Sequence, residues 1–213
     1  MEKIIFTVVA SVSLLLLVLF FVIFPFARYH YIKKHFIEEC GRRIYHLANR
    51  YDYYLINRLL LKTMDGTKID IDHLLCGNKY IYVVHDEFIK GELYARLNDK
   101  SWIKTTKVKK EIRKEKIENM LLVNKRRITT FSQTTNLSLS LIVNIVIIND
   151  DCKLSGYEQE AKNVYLVNIS SFKKLIKKLE KDNVKNIKEN QLKHAIIDIA
   201  NLNERKKNVQ EYN

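Results

Sequence analysis

An uncharged run, IIFTVVASVSLLLLVLFFVIFPF from Ile4 to Phe26, constrains this chain before anything else does. At about 1.5 Å per residue, a helix of that length covers the roughly 30 Å hydrocarbon core of a bilayer. A cleaved signal peptide would carry a shorter apolar core and a small-residue cleavage site. The run instead ends in Pro25-Phe26-Ala27-Arg28-Tyr29, which is a poor site. Arg28, Lys33, Lys34, Arg42 and Arg43 follow the run, whereas only Lys3 precedes it. The positive-inside rule therefore predicts a single-span anchor in the cell membrane, with the bulk of the chain in the cytoplasm. Tyr29 and Tyr31 suit the membrane–water interface.

Charge narrows the class of partner. Lys and Arg number 37 against 24 Asp and Glu, a formal net charge of +13. That balance points to anions: nucleic acid, an acidic protein or lipid headgroups. Part of the lysine excess belongs to a wider bias toward Lys, Asn, Ile and Tyr, with 1 Pro and 5 Gly. Cys40, Cys76 and Cys152 are far apart and have no metal or disulfide spacing, as expected for unpaired thiols in a reducing compartment. No Gly-flanked Ser or Cys offers a nucleophile turn, and no Gly-rich loop offers a phosphate cradle.

The pattern after the anchor predicts an α/β domain in which helices flank a mixed sheet. His35 to Arg50 has Phe36, Cys40, Ile44 and Leu47 at helical spacing. Asp52 to Leu61, Lys68 to Cys76 and Tyr80 to Asp86 read as strands, separated by turns at Asp65-Gly66 and Gly77-Asn78. Glu92 to Leu97 alternates weakly, as a fourth strand would. Thr106 to Phe131 reads as a long charged helix, with Glu111, Glu115 and Glu118 pairing its lysines on a solvated face. LSLSLIVNIVIIND, Leu137 to Asp150, predicts a central strand buried on both faces. A strand at Asn163 to Ile169 follows, then a helix SFKKLIKKLEK capped by Ser170 or Ser171, then an amphipathic helix from Gln191 to Lys206.

The stretch KIDIDHLLCGNKYIYVVHDE, Lys68 to Glu87, carries the candidate chemistry. Alternation puts Asp70 and Asp72 on one strand face, and His85 with Glu87 on one face of the next. Pairing across Gly77-Asn78 would bring Asp72 toward His85 and Glu87. Carboxylates on adjacent strands, with a lysine nearby, are what metal-dependent phosphodiester cleavage requires. Acidic residues and histidines at strand ends are also commonly just solvated. His73 is expected to hydrogen-bond inside the hairpin rather than to ligate.

In this stretch the chain resembles the nuclease-related domain, NERD, a branch of the PD-(D/E)xK nuclease superfamily with a restriction-endonuclease-like fold. The residues that carry the resemblance are Ile71-Asp72-His73, the apolar strand Tyr80 to Val84, His85-Asp86-Glu87, Lys90-Gly91 and Trp102. The run LIVNIVIINDDCKL, Leu141 to Leu154, is also similar to the family's C-terminal half. The resemblance implies a catalytic Asp at Asp72. It implies a metal-binding Glu where His85 stands and a catalytic Lys where Glu87 stands. Asp72, His85 and Glu87 could hold Mg²⁺ or Mn²⁺ if the site is active, but the positive charge is missing. Lys90 lies on the opposite face from Glu87. The expectation is thus a degenerate site that keeps the fold and has lost the chemistry; an active nuclease with migrated residues is the alternative.

The resulting organisation is an anchor over residues 1–27, a membrane-proximal helix over 28–50, a NERD-like domain over 51–182, and a C-terminal amphipathic helix and tail over 183–213. Lys173, Lys174, Lys177 and Lys178 have few carboxylates near them in sequence, so this helix is the expected contact face for DNA or RNA phosphates. A membrane-anchored scaffold that binds no nucleic acid is the competing reading.

Overall fold

A computed structural model of the chain describes residues 2–63, 66–108, 111–158 and 161–205. It divides into two compact units, Met1–Glu39 and Cys40–Asn213.

The first unit is helical. Helix α1 (Glu2–Val18) leads through a π-helical turn (Leu19–Ile23) into α2 (Phe24–Tyr51). The π turn closes with the Phe24 amide donating to the Leu19 carbonyl, immediately before Pro25. Proline lacks an N–H and crowds the preceding turn, so a widened turn just ahead of it accommodates the ring without ending the helix. One helix here is long and apolar enough to cross a membrane.

In the second unit, three antiparallel neighbours come first: β1 (Tyr54–Lys62), β2 (Lys68–Cys76) and β3 (Ile81–Glu87). The Gly66 end of the β1–β2 turn has a positive φ, and its amide donates to Thr63 O; Asp65 lies outside the described residues. The chain then forms β4 (Glu92–Tyr94), β5 (Ser101–Val108), β6 (Glu111–Glu118) and helix α3 (Met120–Thr135). After a short 3₁₀ turn come β7 (Ile142–Ile148), β8 (Lys153–Ser155), β9 (Val164–Asn168), α4 (Ile169–Leu179) and α5 (Glu189–Asn201).

The strands make two sheets rather than the single one expected. The larger has the order β1-β2-β3-β7-β9, with β3, β7 and β9 parallel. Its interior strand β7, between β3 and β9, is buried at every residue, as a parallel strand covered on both faces should be. The smaller sheet, β6-β5-β4-β8, takes the weak fourth strand away from the main sheet. One core cluster, which includes Leu59, Ile71, Val83, Phe131 and Ile199, joins the main sheet to α3 and α5. A second, which includes Leu93, Trp102, Leu121, Val146 and Leu166, ties the two sheets together.

The largest departure is at 101–118. The expected helix from Thr106 is instead the β5–β6 hairpin, and α3 starts only at Met120. Eight consecutive pairs, from Ser101↔Glu118 to Val108↔Glu111, zip the two strands. Lys, Glu and Arg favour helix on propensity alone, but Ile103, Thr105, Thr106 and Val108 favour strand, and pairing decides. Asn119 then fixes the helix start. Its side chain accepts from the Leu121 and Leu122 amides and donates to the Asp99 carbonyl at 2.7 Å. The cap of α4 also differs from expectation: its N-cap is Asn168, without a side-chain cap bond, and the Ser170 amide is held by Asp150 Oδ1.

Candidate functional site

The register His73↔Val84 brings the middle of β2, at Asp72, beside the C-terminal end of β3. Alternation then sorts the polar residues onto two faces.

On one face, Asp72, His85 and Glu87 come together. His85 Nδ1 lies 2.5 Å from Asp72 Oδ2, and His85 Nε2 lies 3.5 Å from Glu87 Oε2. The first is a closed hydrogen bond. The second is a loose charge contact that leaves Nε2 without a hydrogen-bond partner. Asp72 Oδ2 also accepts from the Asp86 amide at 3.2 Å. Arg127, from α3, places its guanidinium 3.1 Å from His85 Nδ1. One imidazole nitrogen cannot both donate to Asp72 and accept from Arg127. The shorter contact, to a carboxylate, assigns Nδ1 as the donor, with Arg127 standing beside the pair.

Electrostatics favour a charged His85. Burial pulls its pKa down, but the bond to Asp72, the looser contact with Glu87 and the charge of Asp72 outweigh that and lift it to about 9, against the opposing charge of Arg127. For Asp72, burial pushes upward, while the His85 bond and charge, the Asp86 amide and Arg127 carry the carboxyl below its ordinary value. Near neutral pH these shifts favour a charged His85 against a charged Asp72, with the Arg127 guanidinium beside them.

His85 Nδ1 engages one oxygen of Asp72 and Nε2 faces Glu87, so the imidazole already occupies two of the side chains that the resemblance places at a metal site. Among the described residues, no group of three His, Cys, Asp or Glu side chains is disposed to hold a metal ion. Lys90 is exposed in the loop after β3.

On the opposite face, His73 is buried, as its structural role requires. Its Nε2 contacts Asp86 Oδ2 at 2.6 Å, and its Nδ1 contacts Asn57 Oδ1 at 2.7 Å. The Asp86 side chain is 1% exposed and its Oδ1 has no hydrogen-bond partner. Gly41 of α2 comes up against this pair, with room for a Cβ only at 3.4 Å from His73 Cε1.

The four lysines of α4 are exposed, while Ile169, Phe172, Ile176 and Leu179 turn inward. Lys173 lines an open groove of about 590 Å³ with Arg43 and Arg50. Lys177 sits over the Tyr51 ring, 5.8 Å from its centroid. Glu180, a sequence neighbour of these lysines, is turned away toward the main sheet, where it accepts from Tyr82 Oη at 2.6 Å.

Arg127 was not singled out in the sequence because it fell within a segment read as one solvated charged helix. The buried stripe Leu121, Asn124, Ile128 and Phe131 is the signal that would have placed it beside the sheet.

The model of the nuclease-related domain, NERD, matches residues 36–149, more than half of the chain, and the chain belongs to that family. No curated protein matches it. The solved crystal structure of AF1548, a protein of unknown function, aligns at 10% identity with a TM-score of 0.35, covering 60% of this chain and 54% of that one. The chain thus spans about half the length of that protein.

Proposed function

We propose that this is a membrane-anchored NERD protein whose domain retains a nuclease-like fold of the PD-(D/E)xK kind, does not cleave, and associates with nucleic acid through phosphate contacts. The observation that carries this reading is His85 bonded to Asp72 and facing Glu87. An imidazolium in that place competes with a metal for both carboxylates. A charged His85 holds its proton and Arg127 does not give one up, so neither serves as a general base at neutral pH, and Asp72 is a weak one.

The N-terminal run supports the anchor. None of the most apolar window of that helix is buried in protein, so lipid is the environment that suits it. The basic flank from Arg28 onward favours a cytoplasmic domain. In this reading residues 1–27 are the anchor, 28–50 the membrane-proximal helix, 51–182 the domain and 183–213 its C-terminal helix and tail. Lys173, Lys174, Lys177 and Lys178 supply phosphate contacts, without base reading.

The test uses the full chain in neutral nanodiscs with a labelled duplex and Mn²⁺ or Mg²⁺. Retention of the duplex without cleavage is expected. Cleavage abolished by Asp72→Ala would establish an active nuclease; no retention even at low salt would leave a membrane-anchored scaffold.

A further inference from the structure

The open edge of the main sheet is guarded by the residues that follow α5. β1 pairs with β2 on one side, and among the described residues no strand of the sheet lies on its other side. Such an edge offers its amides and carbonyls to any strand that can reach them. The ladder to β2 is regular except at one place. Asn57 pairs with His73 and Leu59 with Ile71, whereas Arg58 between them is unpaired and holds a φ of +52°. A non-glycine residue in that conformation is strained, and it interrupts the row of groups that an incoming strand would need. Beyond the interruption lies Leu59-Leu60-Leu61, an apolar run in regular register with Ile71, Asp70 and Ile69.

Asn203 and Arg205 close that run. The Leu60 amide donates to Asn203 Oδ1 at 3.2 Å, and Leu61 forms an antiparallel bridge with Asn203. The Arg205 amide donates to the same Oδ1 at 3.2 Å, and its Nη2 donates to Asp70 Oδ2 at 2.7 Å. Just upstream, Leu192 and Ile199 of α5 share one buried cluster with Leu59, Leu61, Ile69 and Ile71. Asp70 alternates with Ile69 and Ile71, so it projects from the other face of β2. The chain is thus fastened to one face of the hairpin by α5, to the open side of β1 by Asn203, and to the other face by Arg205.

We propose that residues 202–205 form a strap, an autoinhibitory contact that closes the edge of β1 against a second copy of this chain. Identical edge strands can pair about a two-fold axis. Three consecutive leucines on an uncovered edge make the kind of apolar segment that pairs with itself. The strap covers that segment, while the strained Arg58 blunts the rest of the edge. This contact is independent of the nucleic-acid reading above.

The test follows hydrogen exchange of the Leu60 amide, with the mass of the full chain in detergent by light scattering, over a range of protein concentration. In the double change Asn203→Ala, Arg205→Gln, exchange at Leu60 is expected to be about tenfold faster when dilute, as for loss of one hydrogen bond. As concentration rises, the mass should double and Leu60 should slow again, because the second copy's β1 takes the place of Asn203. Arg205→Gln alone, an exposed change that keeps Asn203, should speed Leu60 by less. Asn203→Asp keeps an acceptor for the Leu60 amide and should behave as the parent chain does, with Leu60 protected at every concentration. Leu60 exchange unchanged in both the double and the Arg205→Gln variants overturns the inference. So does faster exchange in the double variant with no return of protection at high concentration.

Discussion

His85 Nδ1 and Asp72 Oδ2 lie 2.5 Å apart across neighbouring antiparallel strands, both more than two-thirds removed from solvent. The pair links the middle of β2 to the C-terminal end of β3 by charge, at the place where the family resemblance calls for metal ligands. A cation supplied by the chain itself stabilises two carboxylates that would otherwise repel.

That pair should show in the pH dependence of stability. The folded-state pKa of His85, about 9, lies above its ordinary 6.5. Its contribution is therefore complete below pH 6.5 and is lost as pH rises through about 9; the full shift corresponds to about 3 kcal/mol. Asp72 is shifted the other way, so its contribution is present above its ordinary pKa of 3.8 and is lost as pH falls through the lower folded value. Both limbs report one ion pair and do not add. Thermal unfolding of the parent chain at pH 6, 8 and 10 is expected to show falling stability, and His85→Phe should flatten that decline. An equal alkaline decline in the variant would assign it to other groups.

His73 and Asp86, on the opposite face, should behave as structure. Removing one partner of a buried pair leaves the other charged or polar group stranded, at a cost of about 3–5 kcal/mol. Asp86→Ala is thus expected to lower the unfolding midpoint by many degrees, whereas the double change His73→Leu, Asp86→Leu should recover much of the loss. If Asp86→Ala unfolds like the parent chain, the pair holds nothing.

Gly91 should tolerate no side chain. Its φ is +91°, and a Cβ there would lie 2.3 Å from the Thr105 carbonyl oxygen of β5. Strain and backbone displacement together give an expected loss of about 2 kcal/mol or more for Gly91→Ala. The β5–β6 hairpin is the element nearest the damage, so hydrogen exchange at Thr105 and Thr106 should speed up first. Unchanged exchange at those amides would count against the close approach.

Membrane orientation can be read with thiols, though not with the native ones. Cys40, Cys76 and Cys152 are all buried and form no disulfide with one another, and burial raises the Cys76 and Cys152 pKa values to about 12 and 11. They should resist labelling on either side of a membrane. An exposed reporter, Lys178→Cys, is expected to stay unlabelled by an impermeant maleimide on intact cells and to label after permeabilisation. Labelling in intact cells would place the domain outside.

Sequence reasoning reached the site's strands and missed the elements around them. Alternation in Lys68 to Glu87 placed Asp72 beside His85, because a hairpin register follows from a short turn and an apolar strand. The run at Ile142 to Ile148 likewise declared itself by continuous β-branched residues. The β5–β6 hairpin did not, because EIRKEKIE is rich in helix formers, and its strand form depends on pairing with β5. With that error, Arg127 was lost too, since a helix drawn from Thr106 gives no reason to turn it toward β3. Glu180 is one of the few carboxylates near the α4 lysines in sequence, yet its bond to Tyr82 is a long-range contact invisible to local spacing.

The protonation state of His85 tests the account most directly. Selective ¹⁵N-histidine labelling of the full chain in detergent, followed through a pH titration with and without Mn²⁺, reads it. The account requires both His85 ring nitrogens to carry protons at pH 7, to titrate near pH 9, and to show no Mn²⁺-induced broadening at neutral pH. A neutral His85 ring at pH 7 that Mn²⁺ broadens, with the effect lost in Asp72→Ala, would contradict it and restore a metal site.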